Sequence, residues 1–329
     1  MAAVVGIAGW PRPLVRVLET LLVAGCYYAA GRLGLLRNLV VEGVVVAPMW
    51  PPTGVAVACL LILGPRCVPG IALGALLVVM SLAPLRPSAL GIVAGNTAAP
   101  VCAYLMLRAV GFRTDLSRVR DGLALVFLGA LTAMLVSAGA GAGMAVLTGE
   151  LATDRFWLVW LAWWAGDAMG VILVTPLILL LYRVRRPPPR TRWGEAATMA
   201  LVVGALVPPI THSPVSVQFL VFPLLIWSAL RFQLAGSLPC ALYASVMSSI
   251  AATDRSGSFT GLTDVEVVVK LQAFNGAMGL TALLLSAVIT QQRNTRRSVE
   301  RACQELVEAL QHLSAGESAR KRPLGEEDR

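Results

Sequence analysis

The chain has 329 residues, 57% of them hydrophobic and 14% charged, with a mean hydropathy of +0.74. A soluble domain carries nearer to about 25% charged residues, and one core rarely grows past roughly 250–300 residues, so a water-soluble globule of this composition is excluded. The net charge of +9 does not mark a nucleic-acid binder, because the arginines stand in short clusters between apolar runs rather than in stripes.

A helix needs about 20 apolar residues to cross the hydrocarbon core. Ten runs approach that length, so the expected fold is all-α. It is a polytopic transmembrane helix bundle of ten helices, or eight if two runs merge or are re-entrant, with a short cytoplasmic C-terminal amphipathic helix. Residues 1–13 form a cytoplasmic N-terminus. The first run covers 14–36. Arg12 and Arg16 precede it and no small-residue cleavage site follows, so it reads as an uncleaved helix.

The second run, 44–64, contains Trp50-Pro51-Pro52-Thr53-Gly54 toward its outer end. Two prolines there break the hydrogen-bond ladder at membrane depth, which is tolerated where protein or a cavity covers the break. A kink at a helix entry is the plainer alternative. Runs 67–85 and 88–109 follow. The latter carries Gly95-Asn96-Thr97, in which Asn96 reads first as a hydrogen bond between helices. The fifth run, 121–148, has no charge from Gly122 to Gly149. Its Gly139, Gly141 and Gly143 lack a preceding strand and suit close helix packing rather than a phosphate loop.

The sixth run, 155–182, holds Trp163-Trp164-Ala165-Gly166-Asp167-Ala168-Met169-Gly170. Asp167 lies about midway, where an ionised carboxylate costs roughly 2.5–3.5 kcal/mol on insertion scales. It should face the bundle interior, near Arg231, Asn96 or a tryptophan. It serves either a ligand, ion or proton site or a structural polar contact. Gly166 and Gly170, four apart, let another helix approach. The segment from Arg183 to Trp193, RVRRPPPRTRW, ends the helix with prolines and places arginines at a headgroup surface.

Runs 194–211, 216–231, 234–252 and 266–291 complete the set. The eighth is short. Its Arg231 is first a snorkelling anchor. Gln272 and Asn275 are polar spots in the last run. After Gln292, Val299, Ala302, Leu306, Ala309 and Leu313 repeat at helical spacing, giving an amphipathic helix over 293–313. A polar, disordered tail is expected over 314–329.

With ten passes and both termini cytoplasmic, 21 of the 27 basic residues fall inside. Arg32, Arg37, Arg86, Arg155, Arg255 and Lys270 stay outside. The six cysteines have no CxxC spacing and read as small buried hydrophobes. His312 lacks the surroundings of a kinase phosphoacceptor, and Gly325-Glu326-Glu327-Asp328 has no catalytic domain around it. There is no nucleophile–base pair, metal-ligand spacing or P-loop, so no catalytic residue, metal or cofactor is expected.

Seven clusters in order carry a resemblance. They are Trp50-Pro51-Pro52-Thr53-Gly54; Pro69-Gly70-Ile71-Ala72-Leu73-Gly74-Ala75; Gly95-Asn96-Thr97; the Trp163–Gly170 run with Thr175-Pro176; Trp193-Gly194-Glu195; Pro223-Leu224-Leu225-Ile226-Trp227-Ser228-Ala229-Leu230-Arg231-Phe232; and Leu271-Gln272. In this order the chain resembles the bacterial membrane-associated sensor domain family of the first class (MASE), over residues 14–292. The resemblance implies a sensory input module of the plasma (inner) membrane with about eight helices. Such a module usually precedes a histidine kinase, diguanylate cyclase or cyclic-di-GMP phosphodiesterase.

Ala98 and Gln233 depart from the family pattern, the latter standing where glycine is common. Only 37 residues follow Gln292, fewer than the roughly 50 of a small domain. The expected role is therefore signal transduction through a separate cytoplasmic partner of one of those kinds, with lipid all round and a homodimer as a further association. A small-molecule or ion transporter is the alternative, on the strength of Asp167 and the proline-broken second run. The candidate polar site is Asp167, Asn96, Trp50, Trp164, Arg231 and Gln272.

Overall fold

Prolines, glycines and charges mark where the helices start and stop. A computed structural model describes residues 12–37, 39–41, 44–82, 87–183 and 192–320. Most of the Arg183–Trp193 segment, the first eleven residues and the last nine lie outside the described residues.

Ten helices are present among the described residues. The first four are α1 (Arg12–Gly34), α2 (Pro51–Leu63), α3 (Val68–Leu82) and α4 (Pro87–Ala109). α5 (Val119–Leu147) and α6 (Thr153–Arg183) each contain a π-helical stretch, Leu125–Thr132 and Gly170–Val174. The last four are α7 (Trp193–Thr211), α8 (Val221–Phe232), α9 (Leu234–Thr253) and α10 (Asp264–Arg320). Eight are long and apolar enough to cross a membrane, and α2 and α8 are shorter. The chain is a multi-pass membrane protein.

The second run differs from its expectation. Two short strands, β1 (Leu39–Val41) and β2 (Val44–Val46), pair antiparallel, with Leu39 opposite Val46. The helix starts only at Pro51. Proline in a first turn forfeits no helix bond, since that N–H would be unpaired anyway. The prolines are thus a helix entry and not a break in mid-helix.

Although short, α2 retraces the depth of α1. α1 and α3 run parallel: a Cβ on Gly70 would meet the Thr20 carbonyl at 2.7 Å, and one on Gly74 would meet Tyr27 at 2.7 Å. α2 starts against the end of α1, where a Cβ on Gly34 would stand 2.9 Å from Pro51. It runs back to Gly64, which turns the chain at φ +79°.

α8 does the same between α7 and α9. It follows Ser216, whose hydroxyl accepts from Lys270 at 3.2 Å, and it ends on Arg231, which pairs with Glu195 at the start of α7. Successive helices therefore alternate in direction along the chain.

The polar loops sort into two ends. One end holds the Arg183–Asp115 pair (3.5 Å), Arg192 on the Arg231 carbonyl (2.7 Å) and Arg293 on the Leu230 carbonyl (2.7 Å). The other holds Arg37–Asp254 (2.7 Å), Arg255–Asp264, and Lys270 on the Ser258 carbonyl (2.7 Å). Within the bundle, buried surfaces are made of Ala, Gly, Ser and Val with a minority of larger side chains, as expected where van der Waals packing rather than water exclusion drives helix association.

A single residue, Gln233, joins α8 to α9 with φ +56° and ψ −136°. That region suits glycine, and a side chain there costs about 1–3 kcal/mol. This explains why the position favours glycine in the pattern the sequence resembles. The turn is tight on both sides: a Cβ on Gly236 would meet the Ser228 carbonyl at 2.6 Å. Gln233→Gly is expected to raise the melting temperature in detergent. An unchanged or lower value would contradict the strain.

α10 is one continuous helix of 57 residues, about 85 Å at 1.5 Å per residue. Its buried face runs from Val267 to Ile289, and residues 291–308 are exposed. The helix continues without a break past Gln292 and past Ser314 to Arg320. No proline interrupts it before Pro323, and Ala315, Glu317, Ala319 and Arg320 are helix-compatible.

Candidate functional site

Asp167 is 1% exposed, near the centre of α6 and three residues before its π stretch. Thr53 Oγ1 donates to Oδ1 at 2.6 Å, and Ser137 Oγ donates to Oδ2. Three helices, α2, α5 and α6, thus meet on one carboxyl group. Among the described residues no basic side chain pairs with it.

The local sequence explains the convergence. The Trp50 N–H donates to the Gly166 carbonyl at 2.9 Å, and Thr175 Oγ1 donates to the Gly54 carbonyl at 3.0 Å. These bonds dock the first turn of α2 onto α6. Gly54, Gly166 and Gly170 let the backbones touch: a Cβ on Gly170 would lie 2.8 Å from the Trp50 carbonyl carbon, and one on Gly166 would meet the Ala47 oxygen at 2.5 Å. Thr53 is then the side chain of α2 that reaches Asp167.

On α5, Ser137 follows the irregular turn at Ala133-Met134 that ends the π stretch. Trp164 Nε1 donates to the Leu131 carbonyl at 2.7 Å. This supplies a partner where helix regularity lapses, which buried backbone requires. Gly141 lies under the Trp163 ring, so the glycine run of α5 serves close packing.

Tyr27 of α1, 1% exposed, packs in one cluster with Trp50 and lies within electrostatic reach of Asp167. Gln272 of α10 donates to the Pro48 carbonyl at 2.8 Å, tying α10 to the segment before α2. Asn96 is 9% exposed on α4, beside Gly95, whose Cβ would meet Ala140 at 2.5 Å. Arg231 is elsewhere, at the arginine-rich end with Glu195. Sequence reasoning passed over Ser137 and Tyr27, and had Thr53 only as a member of the Trp50–Gly54 cluster. A lone hydroxyl in an apolar run has no spacing signature that separates it from packing.

A buried carboxyl with two hydroxyl donors and no basic partner has the chemistry to hold a proton or a small cation. No group of three His, Cys, Asp or Glu side chains suited to a metal ion occurs among the described residues. The sequence model of the MASE1 family matches residues 20–293. No curated protein and no solved structure matches the chain.

Proposed function

Since the chain belongs to the MASE1 family, a family of membrane sensory input modules, we propose that it registers a signal within its helices and passes it along α10 to a separate cytoplasmic partner. The observation that carries this reading is the seat of α10. A Cβ on Gly279 would meet Ile172 of the α6 π stretch at 2.5 Å, and Gly276 faces Met169. The same helix bonds Pro48 through Gln272 and then leaves the bundle without a break. A change at Asp167 that alters the π stretch would therefore bear directly on α10. π stretches inside α-helices are frequent at functional sites.

In this reading the arginine-rich end faces the cytoplasm, by the positive-inside bias, and both termini are there. The membrane is the plasma (inner) membrane. The test is recovery of the partner from solubilised membranes with the intact chain and with a chain truncated after Ser298. Truncation is expected to reduce recovery to background, because it removes the part of α10 beyond Ser298 and keeps the packed part from Val267 to Ile289. Equal recovery would sink the role of the helix.

The transporter reading has one observation of its own, a buried acid beside a helix that starts within the bundle. Proteoliposome flux abolished by Asp167→Asn would favour it, and its absence would favour the sensor.

A further inference from the structure

The arginine-rich end holds a second polar feature, separate from Asp167. A cavity of about 700 Å³ opens there between the α4–α5 loop, the end of α6 and the exit of α10. Its lining includes Arg113, Arg118 and Arg183. Gln291, Thr295 and Ser298, on one face of α10, add neutral donors, while Pro176, Leu180 and Leu234 make an apolar floor.

The charges do not cancel. Asp115, whose side chain is 17% exposed, lies 3.1 Å from Arg113 and 3.5 Å from Arg183, so it orients both but neutralises one. Arg118 is exposed and its guanidinium has no protein partner among the described residues. Asp121, buried behind the loop against the Arg113 N–H, adds a second carboxylate, so one net positive charge remains, and Arg118 is the guanidinium left for a ligand.

The loop that presents them is built in advance. Buried Leu116 sits at φ +49°, a region bulky residues avoid and functional loops tolerate. The Arg113 N–H donates to Asp121 at 3.2 Å, and the Val119 N–H donates to Gln291 of α10 at 3.2 Å.

Planar guanidinium forks with hydroxyl donors beside them suit the tetrahedral oxygens of a phosphate. We propose that this cavity binds a phosphate group, and that the bound ligand ties the exit of α10 to the end of α6 and the α4–α5 loop. The phosphate comes either from the headgroup of an anionic phospholipid, with its glycerol end on the apolar floor, or from a soluble phosphate compound. The site stands whether or not Asp167 takes part in sensing.

The test uses the full chain purified in a neutral detergent. Inorganic phosphate, dioctanoyl phosphatidylglycerol and phosphate-free dioctanoylglycerol are titrated by calorimetry, with native mass spectrometry as the second readout. At least one phosphate-bearing probe is expected to bind, more weakly as salt rises, while dioctanoylglycerol does not compete with it. Arg118→Gln is expected to weaken binding about tenfold or more, the loss of one charge-assisted contact. It breaks no protein contact, so the fold is retained. Thr295→Glu, which puts an acid in the wall, should abolish binding.

Binding of phosphatidylglycerol alone assigns the source to lipid. Binding of inorganic phosphate with the same response to both variants assigns it to a soluble compound. Binding of neither phosphate probe, or wild-type affinity in both variants, overturns the proposal.

Discussion

Gly170→Ala is expected to drive α2 off α6 and to cost the protein most of its folded yield. A methyl group at this position would fall inside the contact distance of the Trp50 carbonyl, with the carbonyl carbon 2.8 Å away. The reciprocal contact is as close, since a Cβ on Gly54 would lie 3.0 Å from the Gly170 carbonyl carbon and 2.7 Å from Val174. Overpacking a core costs about 1–3 kcal/mol when side chains can turn aside. Here the obstacle is backbone on both sides, held by Trp50 on Gly166 and Thr175 on Gly54, so the loss should exceed about 3 kcal/mol. Monodisperse yield by size exclusion and the thermal melt read the effect. Gly143→Ala is the matched control, because nothing lies within 4 Å of its added carbon. A normal yield for Gly170→Ala beside a normal Gly143→Ala would contradict the crossing of α2 and α6.

The second large effect separates two substitutions of Asp167. Asparagine keeps the shape, accepts from one hydroxyl and donates to the other, so Asp167→Asn should fold nearly as well as the wild type. Alanine removes both acceptors. Thr53 is then left with a buried unpaired hydroxyl, while Ser137 retains the Met134 carbonyl at 3.1 Å as a fallback. An unsatisfied buried polar group costs about 1–3 kcal/mol. Asp167→Ala should therefore melt below Asp167→Asn by roughly that amount, with a further loss from the cavity. Equal stabilities would mean that the hydrogen bonds to Asp167 contribute nothing. In signalling the order reverses in interest: Asp167→Asn, folded but without a carboxylate, is expected to lose output.

Much of the architecture was legible because bilayer thickness imposes a length on apolar runs. Arginine placement separated the two ends of the bundle, and the structure keeps those groups apart in its ion pairs. The second run misled because consecutive valines at 44–46 satisfy a hydropathy window equally well as strand or helix. Pro51-Pro52 was the available cue for a helix start rather than a break. The continuous α10 was hidden by a change of composition at Gln292, which alters solvent and not backbone.

At the polar site, Asp167 stood out by its cost in lipid, and Trp50, Trp164 and Gln272 by their size or polarity. Their actual contacts are with backbone carbonyls, which no side-chain pattern announces. Arg231 drew attention as a charge but meets Glu195 at the rim. The two π stretches have no residue signature at all. The stretch in α5 packs on α4 and α6, and the stretch in α6 packs on α2. Gln233 shows the converse case, in which a departure from the family's glycine became interpretable once its backbone angle was known.

On the proposed signalling route, the Asp167 junction and the exit of α10 form one mechanical unit. Hydrogen exchange measured by mass spectrometry on the full chain in lipid nanodiscs tests it directly, comparing wild type with Asp167→Asn. Altered protection is expected in α10 from Gln291 to Ser298 as well as around Asp167. Change confined to α2, α5 and α6, with identical exchange along the exit of α10, would contradict it.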